Sequence, residues 1–302
     1  MLLDLLALTL GKAAPLLFAG FGGLLSEVSG VINFALEGMM LAGAFGAVWA
    51  AQASGSPWIG LLGGAAAGLA AALVHAVASL TFRANQIVSA IALNLAAAGL
   101  TGMLLNQVFG VYGTSPSVNG LPALDAFLPA SFAGWNGLSD FVSRIPLLVP
   151  AALAICLLVA AFFRWTAWGL RLRACGENPQ AAAAAGLSVM RIRFLAVLAG
   201  GVLAGAGGAY LSIGELSQFV EQMTQGRGYL AIAAVILGRW RPAGVFAAAL
   251  FFGLCEALSE WLAVRLTALP NQAFLAFPYI VCLGVLLFHP GRKQPPSALG
   301  RL

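Results

Sequence analysis

Long apolar runs separated by short polar gaps dominate the sequence. An α-helix needs about 20 mostly apolar residues to cross the roughly 30 Å hydrocarbon core of a bilayer. Nine runs are candidate spans, at about 3–25, 31–51, 58–80, 86–105, 145–163, 194–213, 228–238, 243–263 and 274–288. The seventh run is too short to cross alone. It therefore either borrows residues from 219–227 or belongs to a broken helix.

The composition indicates that the spans pack together as a bundle. Hydrophobic residues make up 61% of the 302 residues and charged residues only 8%, against about 45–50% and about 25% in ordinary globular domains. This composition excludes a water-soluble enzyme, a nucleic-acid-binding protein and a disordered chain. Abundant small residues let membrane helices pack closely. We predict an all-α, polytopic transmembrane helix bundle of about 8–10 spans with broken or re-entrant segments, forming a single domain over 1–302.

Charge predicts which side of the membrane each gap occupies. Arginines concentrate at about 164–193, and the positive-inside rule places this gap in the cytoplasm. Counting crossings from there puts 11 of the 15 basic residues inside, including those after residue 288. The longest gap, at about 106–144, becomes an extracytoplasmic loop. Nine crossings put the N-terminus outside, whereas a re-entrant segment at 26–40 would change that parity.

Sequence motifs of catalysis are absent from the chain. Gly11 and Lys12 are followed by Ala13, where a Walker A loop requires Ser or Thr. The sequence contains no HExxH or GxSxG motif, and its four cysteines form no CxxC pair. We therefore expect no catalytic residues, no metal site and no cofactor.

Carboxylates and amides at membrane depth are the candidate path residues. Asn33 and Glu37 lie four positions apart, so a continuous helix would place them on one face. Asn94 lies inside the fourth run. Asn33 and Glu37 either line a substrate path or satisfy backbone groups where a helix breaks. Asn94 either lines the path or forms hydrogen bonds between helices. Gly30 and Gly38 flank the first pair and favour the second interpretation.

Glu221 and Arg227 flank the start of the short seventh run. Arg227 between two glycines suggests a break at the outer edge. Its guanidinium could line the path or form a structural ion pair with Glu221 or Glu215.

The cytoplasmic gap contains a well-capped short helix. Asn178 is a good N-cap, and Pro179 fits the first helical position. Five alanines follow, and Gly186 ends the helix. A helix of about two turns with a smooth alanine surface, flanked by arginines, is better explained by docking to a partner than by a simple connection.

Four ordered blocks carry a family resemblance. SEVSGVINFALEGMMLAGAF (26–45), ANQIVSAIALNL (84–95), WGLRLRACGENPQAAAAAGLSVMRIR (168–193) and EQMTQGRGYLAIAAVILGRWRPAG (221–244) resemble blocks of the membrane permeases of bacterial ABC importers. The family is the ribose and branched-chain amino-acid permease superfamily, and the likeness is greatest to its nucleoside permeases. Asn85 and Gln222 depart from the family's usual residues, Asp and Asn, which bears on specificity.

The resemblance implies a bundle like that of type II ABC importers in the bacterial cytoplasmic membrane. It implies two cytoplasmic ATPase subunits, a second and different permease chain, and a substrate-binding lipoprotein delivering nucleosides, with purine nucleosides favoured. The path residues would be Asn33, Glu37, Asn94, Glu221 and Arg227. The short helix would couple to the ATPase through Arg171, Arg173, Gly176, Glu177, Asn178, Pro179, Ala183 and Gly186.

Two other functions stay open at this stage. An ABC importer of simple sugars or branched-chain amino acids would share all four blocks. A secondary transporter could use Glu37 and Glu256 as proton carriers, but the sequence shows no recognisable inverted repeat. A membrane-embedded enzyme would require clustered His, Asp or Cys residues, which the sequence lacks.

Overall fold

The computed structural model describes residues 2–127, 138–265, 270–288 and 295–301, and these residues form helices without a β-sheet. Parts of the predicted outer loop (128–137) and of the predicted inner tail (289–294) lie outside the described residues. The helices are α1 (Leu2–Val28), α2 (Leu36–Ser54), α3 (Pro57–Ala76), α4 (Gln86–Phe109), α5 (Leu138–Ser143), α6 (Leu148–Trp165), α7 (Ala167–Glu177), α8 (Pro179–Ala184), α9 (Val189–Ala209), α10 (Arg227–Leu237), α11 (Pro242–Arg265) and α12 (Asn271–Phe288).

Six helical stretches of the described chain are long and apolar enough to cross a membrane. They comprise α1, α4, α6 and α11, together with α3 and α9, which extend through π-helical turns to Thr81 and Leu216. Helices α2, α10 and α12 account for the remaining predicted runs. The prediction of an all-α polytopic bundle is thus confirmed.

Contacts at the two ends of α1 indicate its direction. Near its start, the Arg144 guanidinium lies 2.5 Å from the Asp4 carboxylate, at the end of the predicted outer loop. At its other end, Val28 packs against Gly176 of the arginine-rich gap that is predicted to be cytoplasmic. The two ends of α1 therefore lie on opposite predicted sides, the first on the outer side and the last on the inner side. The Asn119 side chain reaches the Gly55 carbonyl at 3.2 Å, so α2 ends on the predicted outer side and the segment before it does not return to the inner side.

The helix order contains an inverted repeat that the sequence does not reveal. One half consists of α1 to α4 and the other of α9 to α12. In each half, the first helix is long and a break separates it from the second helix, which starts deep in the bundle. Two more helices follow after a short connection. Helix α1 begins on the predicted outer side, whereas its counterpart α9 begins on the predicted inner side, so the two helices run in opposite directions. They pack closely, since a methyl group added at Gly22 would lie 2.5 Å from the Gly200 carbonyl oxygen. Helix α9 packs on α2 and α3 as α1 packs on α10 and α11.

The second break lies near the middle of the membrane. Helix α10 has 11 residues, which rise about 16 Å, or about half of the hydrocarbon core. It ends at the inner side, where the Trp240 indole donates to the Glu27 carboxylate at 2.6 Å. Its start at Arg227 is therefore at mid-depth, and residues 217–226 descend to it from the outer side. The seventh run belongs to a broken helix, one of the two predicted alternatives.

Candidate translocation path and coupling face

Glu37 joins the starts of α2 and α10. One of its carboxylate oxygens accepts from Gly226 N at 2.7 Å, and the other accepts from Gly228 N at 2.7 Å. The first N–H groups of a helix lack intrahelical partners, and a carboxylate is favourable there because of the helix dipole. A methyl group added at Gly228 would lie 2.4 Å from Glu37 N. Glu37 thus caps a helix that begins almost 190 residues later in the chain.

Asn94 connects α4 to both helix starts. Its side-chain oxygen accepts from Gly38 N at 2.8 Å, while its amide donates to the Phe34 carbonyl at 2.9 Å and to the Tyr229 hydroxyl at 3.0 Å. The side chain is nearly buried. Glu37 therefore satisfies backbone groups that the second break exposes. Asn94 forms hydrogen bonds between helices, the alternative to a path role for this residue.

Asn33 and Glu37 do not share one helical face, because no continuous helix runs through both residues. Helix α2 begins at Leu36, since the chain leaves α1 through Gly30 at a φ of 100° and stays non-helical to residue 35. The Asn33 amide instead donates to Ser26 Oγ at 3.1 Å. Asn33 is fully buried and lies within the non-helical segment of the first break.

His75 and Gln86 complete the first break. Gln86 Oε1 accepts from Ile32 N at 2.7 Å, and His75 Nε2 lies 3.4 Å from the Ile32 carbonyl oxygen. Both side chains are buried. Sequence reasoning missed this role of His75, although a histidine inside the third apolar run was the available signal.

Arg227 forms an ion pair, one of the two alternatives for its guanidinium, but its partner is neither Glu221 nor Glu215. Arg227 bonds Glu256 of α11, with nitrogen–oxygen distances of 3.0 and 3.1 Å. Glu215 pairs instead with Lys12 at 2.5 Å, and Glu221 accepts from Gly113 N at 3.2 Å. Helix α11 packs beside α10, and this packing brings Glu256 to Arg227 although the two residues are far apart in the sequence. A cavity of about 580 Å³ is lined by Lys12, Glu215, Arg227 and Glu256, but not by Glu221.

The second break presents polar groups on an open face of the described bundle. Glu221, Gln222 and Gln225 are exposed, and Tyr229 at the first turn of α10 is 45% exposed. Gln222 and Gln225 have φ values of 56° and 46°. Irregular backbone at membrane depth is tolerated only where protein covers it or where it lines a water-filled cavity. This face is therefore suited to water, a polar solute or a partner chain.

The capped short helix of the arginine-rich gap has the predicted geometry. Asn178 Oδ1 accepts from Ala181 N at 2.9 Å, and α8 begins at Pro179. The chain leaves the helix through Gly186 at a φ of 81°. Ala183 and the residues around it are exposed, whereas Ala182 is buried. One face of α8 is thus packed and the other is free for docking.

Three of the remaining predicted coupling residues hold α7 in place. Arg173 donates to the Phe163 carbonyl, Gly176 is buried, and Glu177 accepts from Ser297 Oγ at 2.9 Å. Arg171 lies 5.5 Å above the ring of Trp168, a contact within α7 itself. Among the described residues, no group of three or more His, Cys, Asp or Glu side chains could hold a metal ion.

Residues 5–286 match the family model described as branched-chain amino acid transport system / permease component. The chain belongs to this family. It is a multi-pass permease subunit of an ABC transporter and not an enzyme, and in a bacterium such a protein lies in the inner membrane.

Three relatives cover nearly the whole chain. It is 35% identical to the guanosine ABC transporter permease protein NupQ of Bacillus subtilis, over 97% of this chain and 93% of the relative. It is 34% identical to the nucleoside ABC transporter permease protein NupC of Lactococcus lactis, over 95% and 92%. It is 33% identical to the putative glucose ABC transporter permease protein TsgC13 of Haloferax volcanii, over 98% and 95%. No solved structure shows a significant match.

Proposed function

We propose that this chain forms half of the translocation path of a binding-protein-dependent ABC importer for nucleosides, with purine nucleosides as the favoured cargo. The observation that carries the proposal is the 35% identity to a permease named for guanosine, which extends over 97% of the chain. A second nucleoside permease of similar identity and coverage supports the same cargo.

The exposed face of the second break is the proposed path surface. A nucleoside offers ring faces, amide-like edges and hydroxyl groups. Glu221, Gln222 and Gln225 supply acceptors and donors, and Tyr229 supplies an aromatic ring. Asn33, Glu37, Asn94 and Arg227 act behind this surface, where they hold the broken helices in position.

The proposed partners bind on the two sides of the membrane and beside this chain within it. Two ATPase subunits dock on the cytoplasmic side, with the free face of α8 as this chain's contribution. A substrate-binding lipoprotein delivers cargo at the outer side. The second permease is a different chain: the guanosine permease proteins NupQ and NupP of Bacillus subtilis are both similar to this chain, the latter at 26% identity over 81% of it.

Uptake of radiolabelled guanosine tests this function. The chain is expressed with its partner permease, ATPase and binding protein in cells that lack other nucleoside carriers. A complex whose ATPase cannot hydrolyse ATP is the control. We expect ATPase-dependent uptake that unlabelled nucleosides block and that ribose, glucose, adenine and leucine do not. Uptake that survives the dead ATPase and collapses with an uncoupler would overturn the assignment.

A sugar cargo is the second candidate, favoured by the 33% identity to the putative glucose permease. The same uptake experiment separates the two. ATPase-dependent uptake of glucose or ribose, with no competition by nucleosides, would establish the sugar cargo and reject the nucleoside.

A further inference from the structure

Residues 295–301 lie across two cytoplasmic elements and connect them. Ala298 N donates to the Gly176 carbonyl at the end of α7 at 2.9 Å, and Gly300 N donates to the Gly30 carbonyl in the first break at 2.9 Å. Ser297 adds its hydroxyl bond to the Glu177 carboxylate. One short segment is thus hydrogen-bonded both to the helix that precedes α8 and to the break that precedes α2.

Arg193 holds this junction from within. Its Nε donates to the Ser29 carbonyl at 3.0 Å, its Nη1 to the Arg301 carbonyl at 2.7 Å and its Nη2 to the Cys175 carbonyl at 3.3 Å. The residue is 3% exposed. The three acceptors lie in three separate segments of the chain. The planar guanidinium can bind them together, whereas the single ammonium of a lysine lacks this fork geometry.

The junction is too closely packed for its parts to slide freely. A methyl group added at Gly30 would lie 2.7 Å from Arg193 Nη2, and one added at Gly176 would lie 2.1 Å from the Val28 carbonyl oxygen. Gly30 also has a φ of 100°, which favours glycine. Displacement of α7 therefore has to move the first break or disrupt these hydrogen bonds.

We propose that Arg193 and residues 295–301 form a clasp that carries displacement of α7 and α8 to the first break. From there the connection continues through the start of α2, where Glu37 caps α10 beside the exposed face. Arg193 is a positioning residue in this scheme. The inference rests on the proposed function, because it takes α8 as the site where the ATPase acts.

The test uses the complete complex in proteoliposomes, with guanosine transport and ATP hydrolysis measured together. Arg193→Lys keeps the charge and removes the fork, and replacement of residues 295–301 by an equally long Gly–Ser sequence removes the segment's packing. We expect ATP hydrolysis to stay within about twofold of the unmodified complex, while guanosine transported per ATP falls about tenfold, in the range of typical coupling effects. Arg191→Gln, an exposed neighbour on α9, is the matched control and should change neither quantity.

Cys175 provides a readout that does not depend on transport. It is fully buried beside Arg193, and burial raises the pKa of its thiol, so it should react slowly with a water-soluble maleimide. In a chain whose other three cysteines are replaced by alanine, both clasp variants should accelerate labelling of Cys175, and Arg191→Gln should not.

The outcomes separate the clasp from the proposed function. If the unmodified complex transports no guanosine, the cargo assignment fails, whereas Cys175 labelling and ATP hydrolysis still report on the clasp. Unchanged labelling in both variants would overturn the clasp. An unchanged ratio of transport to hydrolysis, with only the amount of assembled complex reduced, would also overturn it, because the junction would then be merely structural. If Arg193→Lys fails to assemble, the Gly–Ser replacement decides.

Discussion

The two breaks of the inverted repeat occupy equivalent places in the helix order but differ in their surroundings. Residues 29–33 of the first break include fully buried Ser29 and Asn33, and Gln86 and His75 close over the backbone between them. The second break, residues 217–226, exposes three polar side chains. The same topology therefore supplies one sealed junction and one open surface. The sealed break is suited to transmitting movement, and the open break is suited to contacting cargo.

The largest expected effect on uptake would come from disrupting α8, the helix whose displacement is proposed to reach the sealed break. Gln180→Pro with Ala183→Pro should destroy α8, because a proline at 183, beyond the first turn, costs about 3 kcal/mol. We expect uptake to be abolished while the subunit remains in the membrane, as measured by uptake assays and membrane immunoblots. Gln180→Ala with Ala183→Ser is the matched control. Unchanged uptake in the proline variant would show that movement does not enter through α8.

The open break should depend on its anchor to α11. Arg227→Ala leaves Glu256 buried without its partner, and breaking a buried pair this way costs about 3–5 kcal/mol. The melting temperature of the purified complex should fall clearly. The double variant Arg227→Ala with Glu256→Gln should have a higher melting temperature than Arg227→Ala alone, because no unpaired buried charge remains. A double variant no more stable than Arg227→Ala would contradict the anchoring role.

The link between the two breaks should be sensitive to the charge of Glu37. Glu37→Ala removes two charge-assisted hydrogen bonds, each worth about 1.5–3 kcal/mol, so uptake or assembly should fall at least tenfold. Glu37→Gln keeps one acceptor oxygen and should retain more of both, as measured by uptake and by subunit co-purification. Normal assembly and uptake in Glu37→Ala would remove Glu37 from the site.

The smallest effect is expected on the open face itself. Tyr229→Phe keeps the exposed ring and loses one hydrogen bond to Asn94, worth about 0.5–1.5 kcal/mol. The KM for guanosine uptake should change only a few-fold, whereas Tyr229→Ala should raise it further because the ring is lost. Equal KM values for the two variants would exclude a contact between the ring and the cargo.

Features set by neighbouring residues were predictable from the sequence. The apolar runs predicted the membrane segments, and Asn178 with Pro179 predicted the start of α8, since span length and helix capping depend on local order. The contact of Glu37 with α10 and the pair of Arg227 with Glu256 were not predictable, because they depend on how helices far apart in sequence pack together. The inverted repeat was missed because it lies in helix order and direction rather than in residue identity.

The difference between the two breaks is tested most directly by cysteine accessibility in the assembled complex. Gln222→Cys and Ser29→Cys are each introduced into a chain whose four natural cysteines are replaced by alanine. A water-soluble maleimide is added with and without guanosine. We expect rapid labelling at 222 that guanosine slows, and little labelling at 29 in either condition. Labelling at 29 as fast as at 222 would show that the first break is not sealed. Labelling at 222 that guanosine leaves unchanged, while the complex transports it, would show that the second break does not contact the cargo.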